Sequence, residues 1–180
     1  MQSEFDILKD VVGKLEELEI EYMLTGSFAM NYYAIPRMTR GIDIIIELYL
    51  SGIDKLYNKF KDEYYIDKDV ITESIKQQSI FNILHNDSFT KIDFIIRKKD
   101  EYRTNEFKRR IKVLYNDIDV FIVSKEDLII SKLIWARDGD SDYQLRDVKN
   151  LMGTGYDKEY LKMLIDKLNL TDVFQRIKND

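Results

Sequence analysis

The chain has 180 residues, 44% of them hydrophobic and 34% charged, and a formal net charge of −5. That length suits one domain, or one with a small appendage, able to bury roughly 70% of the surface its unfolded form exposes. Without cysteine it has no disulfide, thiolate metal site or cysteine nucleophile; no apolar run approaches the ~20 residues of a membrane span, and the overall charge does not favour nucleic acid.

Phe5, Leu8, Val12, Leu15 and Leu18 recur at helical spacing and predict a helix over Ser3 to Leu18. Its first ten residues are polar and acidic, with no signal-peptide core, which with the lack of cysteine fits a reducing, cytoplasmic setting. Tyr22 to Thr25 reads as a short strand. Ser27 is expected to cap a second helix, which Pro36, the only proline, stops. Ile42 to Leu48 is an almost continuous apolar run, the pattern of a strand covered on both faces. Helices are expected over 53–60 and 70–77. Phe81 to His85 and Thr90 to Ile96 flank the turn Asn86-Asp87-Ser88 and predict a hairpin. A helix over 102–110 and strands over 111–115 and 120–123 follow. From Ser124 onward every signal is helical, with capping-box patterns at Ser124/Asp127 and Ser141/Gln144 and Thr171 before the last helix. The change of type divides the chain into an α/β core over 1–123 and a C-terminal helical extension over 124–180.

The densest chemical signal is Leu24-Thr25-Gly26-Ser27, thirteen residues, then Gly41-Ile42-Asp43 running into Ile44-Ile45-Ile46. A Gly-Ser turn opening a helix offers backbone N–H groups and a hydroxyl to phosphates. Carboxylates two apart on a strand share a face and can share metal ions. Asp43 starts one apolar strand, and Asp93, in Lys91-Ile92-Asp93-Phe94, starts another. Each alone is equally a solvated strand-entry acid; together with Gly26 and Ser27 they favour a site. The position two before Asp43 is Gly41, which has no ligand. Glu47 lies four residues further on, roughly 13 Å along the strand, too far to substitute.

Gly-Ser, a spacer, an acid-bearing strand and a later Asp resemble the signature of the nucleotidyltransferase superfamily of the polymerase-beta type. Met23 to Met30 with Pro36 to Asp43 is similar to the AbiE-type toxin branch, as are Lys132-Leu133-Ile134-Trp135-Ala136 and Gln144 to Leu151. The resemblance implies a mixed sheet flanked by helices and Mg²⁺- or Mn²⁺-dependent transfer of a nucleotide from ATP or another triphosphate. It implies an acceptor that is RNA, protein or a small molecule, and an antitoxin partner. It places Asp43 and Asp93 on the metal, Gly26 and Ser27 on phosphates, and Lys132 in a catalytic role. Relatives carry Asp where this chain has Gly41. Either the chain is a natural pseudoenzyme, a nucleotide- or partner-binding module of the same fold, or Gly41 is an acquired change in an enzyme.

Other residues carry two readings each. Arg37 and Arg40 are phosphate contacts or a solvated loop. Lys132, in an apolar helical lane with Leu128 and Trp135, is a snorkelling stem or an inward phosphate ligand, the resemblance favouring the second. Asp147 positions Lys132 or an acceptor, or is a plain helix acid. His85, the only histidine, reads as structural, and tyrosines such as Tyr32 and Tyr57 as packing. Lys91 to Lys112 holds nine Lys or Arg; Phe107 to Lys112 within it is a candidate RNA contact, outweighed by a solvated helix end.

Overall fold

The computed structural model describes residues 2–36 and 41–179. Its strands are β1 (Tyr22–Leu24), β2 (Gly41–Ile46), β3 (Tyr64–Tyr65), β4 (Ile80–His85), β5 (Lys91–Ile96), β6 (Ile111–Tyr115) and β7 (Ile118–Ile122). Its helices are α1 (Glu4–Glu17), α2 (Gly26–Tyr33), α3 (Ile53–Phe60), α4 (Lys68–Gln77), α5 (Glu101–Lys108), α6 (Lys125–Gly139), α7 (Asp142–Met152), α8 (Lys158–Lys167) and α9 (Thr171–Asn179). The strands make one mixed sheet, ordered β3-β4-β5-β2-β1-β7-β6. β2 and β5 are its parallel centre, with β1 antiparallel to β2 and parallel to β7. The expected mixed α/β architecture with a helical C-terminal segment is thus the one observed.

The two-residue period of the strands sorts side chains to two faces. Ile42, Ile44 and Ile46 join Ile92, Phe94 and Ile96 in one buried layer with α1, α3 and α4. Met23 and Ile45 belong to the opposite layer, with α2 and the helices from α5 onward. Ile44, Ile45 and Ile46 are all buried, as the apolar run predicted for a strand covered on both sides. Gly41, Asp43 and Ile45 share the second face with their register partners Lys91, Asp93 and Ile95. The acids therefore look toward α2 and α6.

The cap expected at Ser124 is present, and α1 carries a further one at Ser3. Ser3 caps α1, with Asp6 bonding back to its N–H at 2.8 Å, and Ser124 accepts from Asp127 N–H. Two capping expectations are corrected. Ser27 lies inside α2, whose N-cap is Thr25 with extended backbone and no side-chain cap bond. Ser141 precedes α7 without a side-chain cap bond: the Gln144 N–H donates to the Ser141 carbonyl at 3.2 Å, and the Gln144 side chain accepts from Lys132. β3, a two-residue edge strand, had no sequence signal.

Candidate nucleotide site

The site begins where β1 runs out. Thr25 N–H donates to the Asp43 carbonyl at 3.0 Å, holding the turn against β2. Gly26 then takes φ +60°, a conformation that favours glycine, and α2 starts. The missing Cβ of Gly26 leaves room for Asp43: an added Cβ would lie 2.7 Å from Asp43 Cγ and 2.9 Å from its Cβ. The backbone N–H of Ser27 favours the ionised form of the Asp43 carboxylate. The carboxylate thus lies against the first residue of α2, where the positive end of the helix favours its charge.

Asp93 is the direct register partner of Asp43 on the neighbouring parallel strand. Sequence reasoning expected these two acids and the Gly-Ser turn to converge, and they do. Burial, then the charge of Asp93, raise the Asp43 carboxyl above its ordinary range; Lys132, the Ser27 N–H and Lys91 oppose that rise. Lys132 is 1% exposed and donates to Asp147 Oδ2 at 2.6 Å and to Gln144 Oε1 at 3.2 Å. Asp147, read as either a positioning group or a plain helix acid, holds that lysine inside the second layer.

Two neighbours were missed by sequence reasoning. Lys91 Nζ pairs with Asp93 Oδ2 at 2.9 Å. Asn82, opposite Asp93 on β4, is exposed on the same face. The same-face rule for residues two apart flagged the place before Asp43 and, applied to β5, would have flagged Lys91. At Gly41 an added Cβ would come 3.1 Å from the backbone oxygen of Lys91, so a side chain there requires the strands to give by a few tenths of an ångström.

The remaining candidates fall elsewhere or outside view. Arg37 and Arg40 lie outside the described residues. His85 is buried in the β4–β5 hairpin, accepting from Ser88 N–H at 3.1 Å and meeting Tyr64 edge-on, a structural role. Glu47, excluded as a substitute ligand by distance, is bound by Arg97. The basic segment is largely neutralised within the chain. Arg97, Arg103, Arg109, Arg110 and Lys112 pair with Glu47, Glu106, Asp127, Glu21 and Asp119. The nine cations counted along the sequence therefore do not form a free phosphate-binding arm.

Nine solved protein chains match this architecture. Lincosamide antibiotic adenylyltransferase LnuA, bound to lincomycin, superposes with a TM-score of 0.56 at 16% identity, over 86% of this chain and 98% of that one. The chain has a nucleotidyltransferase fold. An antigenic nucleotidyltransferase-like protein of Paracoccidioides brasiliensis gives 0.55 at 14% identity, over 94% and 90% of the two chains. A candidate nucleotidyltransferase of Thermotoga maritima gives 0.54 at 14% identity, over 77% and 88%. No family model matches the chain, and no curated protein does.

Among the described residues no group of three or more His, Cys, Asp or Glu could hold a metal ion. What is present is a pair. Asp43 and Asp93 repel each other, and hard oxygen donors suit Mg²⁺ or Mn²⁺. The donor chemistry of the pair suits a divalent cation. The pair does not supply the third carboxylate expected at position 41.

Proposed function

We propose that this chain binds a nucleoside triphosphate, with Mg²⁺ or Mn²⁺, at the β1–α2 turn, and that nucleotide transfer to an acceptor is its ancestral chemistry, impaired by Gly41. The observation that carries this reading is the seating of Asp43 on the Cβ-less face of Gly26, in register with Asp93. A turn built only to reverse the chain has no need to bury a carboxylate beside a second one.

The residues divide the work. Asp43 and Asp93 would hold the cation, which neutralises phosphate charge when bound. The Ser27 hydroxyl, in the first turn of α2, is assigned to a phosphate oxygen. Arg37 and Arg40 are assigned to the phosphates by position in the sequence. Lys132, buried and bonded to Asp147 and Gln144, is a positioning residue: its charge favours the ionised form of Asp43.

The gap at Gly41 favours a second reading, a binding module without turnover. Calorimetry with ATP and Mg²⁺, run beside a label-transfer assay on the natural chain and Gly41→Asp, separates them. Binding without transfer in both proteins supports the module. Transfer that appears or rises in Gly41→Asp supports the impaired enzyme, and absence of ATP binding in either protein refutes both. The acceptor classes (RNA, protein, small molecule), an antitoxin partner and the AbiE-type branch rest on the resemblance of Met23–Met30, Pro36–Asp43 and the C-terminal helices, and a cytoplasmic location on the lack of cysteine. A core ending at residue 123 with a helical extension over 124–180 is part of the same proposal. Among the described residues no helix is long and apolar enough to cross a membrane.

A further inference from the structure

Beside the carboxylates, on the same face of the sheet, lies a cavity of about 490 Å³. It starts one side-chain pair further along the strands than Asp43 and Asp93, at Ile45 and Ile95, and its mouth includes the half-exposed Ile80. Thr25, the residue before the Gly-Ser turn, lines it, so the cavity reaches to within one residue of the proposed phosphate cradle. Trp135 of α6 forms part of the opposite wall, and its ring lies 6.0 Å from Lys132 Nζ. That volume and apolar floor are those of a small-molecule site.

The polar lining indicates which molecules fit. Arg103 Nη1 bonds both oxygens of Glu106 at 2.9 Å and Ser131 Oγ at 2.7 Å, and Ser131 donates to Glu106 at 2.8 Å. Glu106 is 1% exposed and Ser131 2% exposed. This closed network is a rigid wall whose only carboxylate is already satisfied. Arg97 and Lys98 add two more cationic side chains to the lining. Within this lining a polycation would meet Lys98 and no carboxylate except the engaged Glu106. A flat apolar body would stack on the indole and cover Ile45, Ile80 and Ile95.

We infer that this cavity is the acceptor site, and that the acceptor is a small neutral or singly anionic molecule with a flat apolar body and a hydroxyl directed toward Thr25. The inference rests on the nucleotide-site reading above. In transfer, the acceptor hydroxyl oxygen forms the new bond to the α-phosphorus of the nucleoside triphosphate. The bond from that phosphorus to the pyrophosphate oxygen breaks, and the hydroxyl proton leaves to water.

Trp135 is the only tryptophan, so its emission reports the cavity directly. The probe is 8-anilinonaphthalene-1-sulfonate, a flat single anion, titrated into the full-length chain with and without ATP and Mg²⁺. Expected are saturable quenching of Trp135, at least tenfold weaker probe binding in Ile80→Asp, no displacement by spermine, and simultaneous occupancy by probe and ATP. Competitive displacement by ATP would make the cavity the nucleobase pocket and overturn the acceptor assignment. Displacement by spermine, or an unchanged affinity in Ile80→Asp, would overturn the stated ligand class. Asp43→Asn is the control that separates the two readings: it should weaken ATP and leave the probe seated. If ATP binds neither protein while the probe still binds, the nucleotide reading fails and the acceptor role falls with it.

Discussion

Replacing Gly26 with alanine tests the geometry on which the site depends. Two costs add. At φ +60° a non-glycine residue carries roughly 1–2 kcal/mol of backbone strain. The new methyl would also sit 2.7 Å from Asp43 Cγ and 2.9 Å from Asp43 Cβ. Because the Asp43 Cβ itself is too near, rotating the carboxylate does not relieve the clash; β2 or the turn has to shift. Overpacking of that kind costs about 1–3 kcal/mol. The expected loss of stability is therefore about 2–5 kcal/mol, read by urea unfolding, together with loss of Mn²⁺ and ATP binding by calorimetry. A double-mutant cycle with Asp43→Gly resolves the two parts: the packing cost disappears in the double variant and the backbone cost stays. A loss below about 1 kcal/mol, with cation and nucleotide binding unchanged, would refute the claim that Asp43 is seated on the glycine.

Three further outcomes are expected. Since the folded state raises the Asp43 carboxyl, it holds that proton more tightly than the unfolded chain, and the associated stability is present in acid and lost as pH rises through the raised value. Asp43→Asn should therefore stabilise the chain at neutral pH by an amount that shrinks on acidification towards the ordinary aspartate range, as thermal unfolding across pH will show. Lys132→Met removes the ammonium from the buried Asp147 and should cost about 3–5 kcal/mol in denaturant unfolding, part of it recovered on adding Asp147→Leu; equal stabilities of the two variants would contradict this. Lys91→Ala removes a cation from Asp93 and from the field at Asp43, and should tighten Mn²⁺ binding several-fold in calorimetry at low salt; unchanged or weaker binding would show that the Lys91–Asp93 pair does not compete with the metal.

Much of this arrangement was legible in the residues because its determinants are local or periodic. Apolar spacing located the core helices, and the alternation in β2 and β5 put Asp43 and Asp93 on comparable faces. Their convergence could be expected only by pairing two strands fifty residues apart, and the register Asp43↔Asp93 supplies what the spacing could not. Ser27 was misassigned because a serine after glycine reads as a cap, whereas α2 already begins at Gly26 with Thr25 as its N-cap. At Ser141 the Gln144 N–H takes the serine's carbonyl rather than its hydroxyl. Arg103 and Glu106 are visible as a helical i, i+3 pair, yet Ser131, which closes their network, is 25 positions after Glu106. The basic run looked like an interaction surface because its partners, Glu21, Glu47 and Asp127, are scattered through other elements.

Ser131 and Lys132 are consecutive on α6, yet one belongs to the cavity wall and the other to the charge cluster behind Asp43. A rigid helix cannot slide or roll to suit one of these without carrying the other along. A substitution that repacks α6 at Ser131 is therefore expected to alter the field that Lys132 sets at Asp43 as well.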